Sequence, residues 1–354
     1  MTELDQMVRV ALRGRSPGLV LIVVGPEGIR ARSAVGMASL AESREMTTSA
    51  EFPWFSMTKV ATATAIIRLI EAGAIELDGP VFPLVPALES LQPVNWARKI
   101  TIRHLLQHSA GLPNPIPIKW IHRAEQEGPK PEILLNRILA RNDKLRFEPG
   151  SKSSYSNIGA LILGSVITRA TGLPFEDAVH GQVIRPIGMP STRFSYGSSG
   201  TAATGYHDRL NPMHLLLPRW VLGAATGRWV SLNPFLVDGA AYGGLLGNAE
   251  DAARLLRMHL SDGMIDGVRV ISAEMTAEMR RIAIHGRRFD SGLGWLAPAR
   301  RRASDVPFVE HLGSGAGFFN LMRMYPSQRV GALVMGNSTK YDIDAIADLA
   351  LNFR

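Results

Sequence analysis

Apolar residues recur at helical spacing from the first positions of the chain. Leu4, Met7, Val8 and Ala11 fall on one face of residues 2–14, so an amphipathic helix is expected there. The pattern then changes. Gly18–Val24 and Ile29–Met37 read as two strands joined by the turn Gly25-Pro26-Glu27-Gly28. A helix is expected from near Ser56 to Glu71, where Gly73 stops it. From Asp78 to about Ala241 the character is helical and proline-rich, with no convincing strand pair. Its clearest helices are Ile100–Leu106, Pro131–Ala140 and Asn157–Ala170. Glu250–Leu260 is a further helix, opened by Asn248. Strand character returns at Phe318–Tyr325 and Val330–Met335 around the turn Pro326-Ser327-Gln328, and residues 342–352 close the chain as a helix.

This order predicts an α/β fold with one antiparallel sheet built from both chain ends and flanked by helices. Residues 1–77 and 242–354 would form that α/β lobe, and residues 78–241 a largely helical inserted lobe. A site between the lobes is the natural expectation. No internal repeat or low-complexity tract interrupts the pattern.

Composition narrows the chemistry. Of 354 residues, 46% are hydrophobic and 20% charged, an ordinary globular balance. No cysteine is present, which excludes disulfides, thiolate metal sites and cysteine nucleophiles. The net charge of +8 raises the question of nucleic acid. The arginines are scattered, however, in the groups Arg280–Arg281, Arg287–Arg288 and Arg300–Arg302, without interleaved aromatics. A solvated basic face is the better reading, and no nucleic-acid partner is expected. Glu3 and Asp5 precede the first arginines, and the run Leu19–Val24 is short and lacks a small-residue cleavage site. A signal peptide is therefore not expected. No stretch approaches the roughly 18 apolar residues of a membrane span, so a cytoplasmic location is the default expectation.

The informative stretch is Phe55-Ser56-Met57-Thr58-Lys59. A serine hydroxyl is a weak nucleophile until a base comes within hydrogen-bonding reach. On a helix, positions i and i+3 share a face, so Lys59 can approach Ser56. A serine in the first turn also has free backbone N–H groups beside it for a developing oxyanion. Lysine serves as a base only if its pKa is lowered, and Phe52, Trp54, Phe55 and Met57 supply apolar surroundings for that. Ser56 is the only serine in the chain followed by lysine three residues later. Alone, the motif would fit a helix start with Ser56 as its cap.

Two further elements follow. Gly150-Ser151-Lys152-Ser153-Ser154-Tyr155-Ser156-Asn157 lies in the helical stretch, and His311-Leu312-Gly313-Ser314-Gly315 precedes the last strand pair. Together the three resemble the Ser-x-x-Lys, Tyr-x-Asn and Lys-Thr-Gly-like elements of the serine β-lactamase and penicillin-binding protein superfamily. The phrases Ile100–Leu112, Phe147–Gly150, Ala203–Tyr206 and Gly243–Asp251 are also similar to that family. The resemblance is strongest to the class C β-lactamase branch and its relatives, the family VIII carboxylesterases and D-amino-acid peptidases.

The resemblance implies roles. Ser56 would be the nucleophile and Lys59 its proton-transfer partner. Tyr155 would be the general base, kept near phenolate by Lys59, and would then protonate the leaving group. Asn157 would bind substrate and hold Lys59 in place. His311, Gly313 and Ser314 would line the substrate, with the N–H groups of Ser56 and Ser314 forming the oxyanion hole. One departure stands out: His311 replaces the lysine that many β-lactam-processing members use to attract a carboxylate. Histidine there is familiar among the esterase-like relatives, and a second role, positioning Tyr155 by a hydrogen bond, is compatible with it.

Other signals carry less. Gly14-Arg15-Ser16-Pro17-Gly18 matches Gly-x-Ser-x-Gly, but the strand-to-helix order around Ser16 is reversed. His104 and His108 have helical spacing without a glutamate after His104 or a third ligand nearby, so hydrogen bonding within the lobe is expected instead of metal. The loop Gly313–Gly317 leads into a strand and so fails the dinucleotide test. Met213–Val221 is apolar enough for core, with an acyl-pocket wall or an exposed patch as alternatives.

The expectation is a serine hydrolase forming an acyl-enzyme on Ser56. Its substrate would be a small-molecule ester or amide, most simply a short- to medium-acyl ester. No cofactor or metal is called for, and the sequence allows an oligomer. A β-lactamase or D-amino-acid peptidase would share the machinery. A catalytically silent sensor or scaffold would not need all of Ser56, Lys59, Tyr155 and Asn157.

Overall fold

The computed structural model describes residues 2–197, 200–300 and 306–353. Its main sheet comprises β1 (Gly18–Gly25), β2 (Gly28–Ser39), β3 (Arg44–Glu45), β4 (Phe289–Ser291), β5 (Leu296–Pro298), β6 (Val309–Gly315), β7 (Phe318–Tyr325) and β8 (Val330–Gly336). The strands are antiparallel in the order β4-β5-β6-β7-β8-β1-β2-β3. The first hairpin thus docks on the last along β1 and β8, with Leu21 opposite Val334. This is the expected sheet made from both ends of the chain.

Every residue of β1 is buried because the strand lies between two layers. Leu19, Leu21 and Val23 pack with Leu4, Val8 and Leu12 of the first helix and with Ile343 and Ile346 near the end of the chain. Val20, Ile22 and Val24 face the opposite way, into the larger core that holds Leu255 and Leu256. Side chains alternate across a strand, so a strand covered on both faces reads as one apolar run.

The helices follow their caps. Thr2 and Asp5 form a capping box on Glu3–Leu12. Asn248 caps Ala249–Leu260, and Thr101 caps Ile102–Leu106. Ser156 opens Asn157–Thr171, which ends at Gly172 in the left-handed conformation (φ 70°). This helix packs against Thr58–Glu71, and both are buried along most of their length. The closing helix is shorter than expected, Ile343–Asp348, and continues as a 3-10 turn over Leu349–Phe353.

The expectation that residues 78–241 hold no strand pair is overturned. Ile121–Arg123 pairs with Phe235–Val237. Tyr206–Asp208, Leu222–Thr226 and Trp229–Leu232 form a three-stranded sheet. These strands have three to five residues, too few to establish a period of two. Met213–Val221 divides between roles: Leu217 and Val221 are core, whereas Leu215 (89%) and Leu216 (59%) are exposed.

Among the basic groups, Arg280 pairs with Asp262 and Arg281 with Glu278. Arg301 and Arg302 lie outside the described residues. No single helix among the described residues is long and apolar enough to cross a membrane.

Candidate active site

Ser56 sits in a 3-10 turn, Phe55–Met57, that feeds directly into the helix Thr58–Glu71. Phe55 just before it has φ 46°, a left-handed conformation that a bulky aromatic side chain resists. The surroundings hold it there. Its ring packs on Phe235 and Phe318 at centroid distances of 6.1 and 6.3 Å. Such local strain, maintained by packing, is typical of functional sites.

One turn along, Lys59 Nζ donates to Ser56 Oγ at 3.0 Å and to the Tyr242 carbonyl at 2.7 Å. Lys59 is 5% exposed, and no carboxylate pairs with it among the described residues. Burial therefore holds its pKa well below the ordinary lysine range. Tyr155, at the start of Asn157–Thr171, is hydrogen-bonded to Ser56, and its ring centre lies 5.0 Å from Lys59 Nζ. Burial raises the phenol's pKa, and the bond to Ser56 opposes that only in part. The family resemblance implied a phenolate beside an ammonium. Burial works against that charge-separated pair from both sides, lowering the lysine and raising the phenol; a neutral phenol beside a neutral amine has the same proton count. Either way Ser56 Oγ touches both groups of one shared-proton pair.

On the opposite side β6 presses against the Ser56 turn. Gly313 and Gly315 permit this: a Cβ on Gly313 would clash with the Trp54 carbonyl, and one on Gly315 with the Phe55 ring. Close approach brings the Ser314 peptide to the Ser56 turn.

His311 is 1% exposed. Its Nδ1 donates to the Leu312 carbonyl at 2.9 Å, and its buried Nε2 has no hydrogen-bond partner among the described residues. Burial first, then the nearby Lys59, push its pKa down to about 3, with Leu312 opposing. A histidine with an ordinary pKa near 6.5 would be partly charged at pH 7; this one, pushed that low, is neutral there. It does not hydrogen-bond Tyr155, whose ring centre is 6.3 Å away.

Asn157 also departs from expectation. Its main-chain N–H donates to Asn114 Oδ1 at 2.9 Å, while its own Oδ1 is buried without a partner among the described residues. It does not bond Lys59. The group that holds Lys59 is the carbonyl of Tyr242, which sequence reasoning missed because a backbone acceptor leaves no trace in residue type. His108, expected to hydrogen-bond within the helical lobe, does so by accepting from the Ser156 N–H at 3.3 Å, and its ring also lies 4.4 Å from that of Tyr155.

The discounted signals settle into structural roles. Ser16 is buried and donates to the Gly18 carbonyl and Asn337 Oδ1 at 2.9 and 3.3 Å. His104 Nδ1 accepts from the Thr101 N–H at 3.2 Å. Among the described residues no group of three or more His, Asp or Glu side chains is placed to hold a metal ion.

A serine, a buried lysine, a tyrosine and a glycine-lined strand thus converge on one turn, and the profile of the family described as Beta-lactamase matches residues 4–352. The chain belongs to the Beta-lactamase family. Penicillin-binding protein 4 of Amycolatopsis lactamdurans is 28% identical over 352 residues, 94% of this chain and 84% of that protein. Esterase EstB of Burkholderia gladioli is 33% identical over 221 residues, 58% of this chain and 54% of that one. The D-amino acid amidase from Ochrobactrum anthropi SV3, solved with D-phenylalanine, shares the fold with a TM-score of 0.80 at 21% identity over 99% of each chain. The protein is a serine hydrolase of the β-lactamase and penicillin-binding protein superfamily, whose members here include esterases, amidases and penicillin-binding proteins.

Proposed function

We propose that this family member is a carboxylesterase acting on short- to medium-acyl esters through an acyl-enzyme on Ser56. Ser56 Oγ attacks the ester carbonyl, forming the O–C bond as its proton passes to the Lys59–Tyr155 pair. The N–H groups of Ser56 and Ser314 stabilise the oxyanion. Tyr155 then delivers the proton to the departing alkoxide. Water cleaves the acyl-enzyme by the same proton path, and Asn157 orients the substrate. Ser56, Lys59 and His311 come from the lobe proposed for residues 1–77 and 242–354; Tyr155 and Asn157 come from the lobe proposed for residues 78–241.

The observation that carries the choice of substrate is His311. A buried, neutral imidazole stands where a β-lactam carboxylate needs a cation. A charge-assisted hydrogen bond is worth about 1.5–3 kcal/mol, so its loss costs roughly ten- to a hundred-fold in kcat/KM for anionic substrates. Neutral esters lose nothing. The 33% identity to an esterase points the same way. At pH 7.5 p-nitrophenyl butyrate is expected to exceed both a chromogenic cephalosporin and D-phenylalanine amide in kcat/KM, and His311→Lys to narrow the cephalosporin gap. A higher value for the cephalosporin or the amide in the wild type overturns the assignment.

A further inference from the structure

His108 has no part in the chemistry above, yet it touches the Tyr155 segment in three ways. Its carbonyl accepts from the Ser154 N–H at 2.8 Å. Its Nδ1 accepts from the Ser156 N–H at 3.3 Å. Between these two bonds its ring packs on the Tyr155 ring, 4.4 Å centre to centre and tilted by 37°. Phe289 closes the cluster edge-on, 6.1 Å from His108 and 6.0 Å from Tyr155. His108 is itself held firmly. It is buried, its backbone is left-handed at φ 53°, and the next N–H, of Ser109, returns to the His104 carbonyl at 2.8 Å.

We infer that His108 is a positioning residue for Tyr155, clamping the peptide on either side of the phenol while its ring fixes the phenol's plane. The inference rests on the Ser56–Tyr155 chemistry proposed above. A tyrosine oxygen is placed by the backbone at its Cα and by the first side-chain torsion; it lies on the axis of the second, softer torsion, which sets the ring plane and so the plane of the O–H bond. His108 restrains the backbone through Ser154 and Ser156, and the soft torsion through ring contact. Its Nδ1 must keep its lone pair to accept from Ser156, so the proton lies on Nε2 and the ring is neutral. The titratable groups facing it are Lys59 from the serine helix, His311 from β6 and Tyr155 itself. Burial, together with Lys59 and His311, keeps its pKa well below the usual histidine range.

A misplacement of about 1 Å costs on the order of a hundred-fold in rate. His108→Ala is therefore expected to lower kcat ten- to a hundred-fold with KM within about threefold. His108→Asn keeps a short acceptor where Nδ1 stood and tolerates the left-handed backbone, so it should retain kcat within about fivefold. The deciding measurement repeats both substitutions in a Tyr155→Phe background, using p-nitrophenyl butyrate. A residue that acts through the phenol hydroxyl has little left to lose there, and each substitution should cost less than threefold. Equal losses for His108→Ala in both backgrounds, or an Asn variant as impaired as Ala, overturn the inference. If Tyr155→Phe alone leaves kcat intact, it is the proposed chemistry that fails, a distinguishable outcome. Should His108→Ala not fold, His108→Leu, which fills more of the space but has no acceptor for the Ser156 N–H, replaces it in both backgrounds with the same expected and overturning results.

Discussion

Adding one methyl group at Gly313 tests how tightly the site is assembled. Gly313 lies on β6 where the strand meets the Ser56 turn. A Cβ there would stand 3.0 Å from Met57 Cγ and closer still to the Trp54 carbonyl oxygen, where ordinary contact begins at 3.4 Å. The carbonyl cannot swing aside. It accepts from the Met57 N–H at 3.2 Å, and the Trp54 N–H is tied to the Leu245 carbonyl at 2.8 Å. Relief must come from β6, by a displacement on the order of 1 Å, and β6 carries the Ser314 N–H proposed for the oxyanion hole. A shift of that size costs about a hundred-fold in rate, or about 2.7 kcal/mol of barrier. Overpacking should lower stability by only about 1–3 kcal/mol, leaving a folded enzyme to assay. The readouts are kcat/KM for p-nitrophenyl butyrate and the rate at which a fluorophosphonate labels Ser56; both should fall together. Gly181→Ala is the control, since a Cβ there meets nothing within 4 Å. A folded Gly313→Ala variant within threefold of wild type would refute the claim that β6 is seated against the Ser56 turn.

Two further outcomes follow from the buried bases. The folded pKa of Lys59 is depressed, so between that value and about 10.5 the unfolded chain holds a proton that the folded chain does not. Lys59 burial thus costs stability at neutral pH, and the cost shrinks toward pH 10; relative to wild type, Lys59→Met should gain up to about 1.4 kcal/mol per unit as pH falls from 9.5 to 7.5. Urea denaturation at both pH values checks this, and an unchanged difference contradicts it. His207, His259 and His311 are held at about 4, 3 and 3, chiefly by burial. Each lowers stability as pH falls below about 6.5, by up to about 1.4 kcal/mol per unit. Wild-type stability should therefore drop by roughly 3 kcal/mol or more between pH 7 and 5, above the range where carboxylates titrate, and a flat profile would contradict the buried neutral state.

Much of this architecture is legible in the sequence because local chemistry marks it. The run Leu19–Val24 announces a strand buried on both faces, Ser156 and Asn248 announce helix starts, and Gly172 marks a helix end. Ser56 and Lys59 meet because three residues make nearly one turn. What stayed hidden depends on partners far along the chain. Ile121 pairs with Val237 across more than a hundred residues, and a three-residue strand carries no period of its own. The hold on Lys59 is a main-chain carbonyl at Tyr242, invisible to residue type. The neutrality of His311 comes from its burial beside Lys59, and Asn157 Oδ1 lacks a partner because no donor among the described residues reaches it. These are tertiary facts, and side-chain identity alone does not contain them.

The central claim, that Ser56 takes the acyl group, is tested most directly by trapping the adduct. The enzyme is labelled with a fluorophosphonate, digested with trypsin and sequenced by tandem mass spectrometry. Cleavage after Arg44 and Lys59 releases Glu45–Lys59, a peptide with only two serines, Ser49 and Ser56. The account predicts stoichiometric modification on Ser56 and none in the Ser56→Ala variant. Modification of Ser16, Ser49 or any other serine, or labelling that persists undiminished in Ser56→Ala, would contradict it.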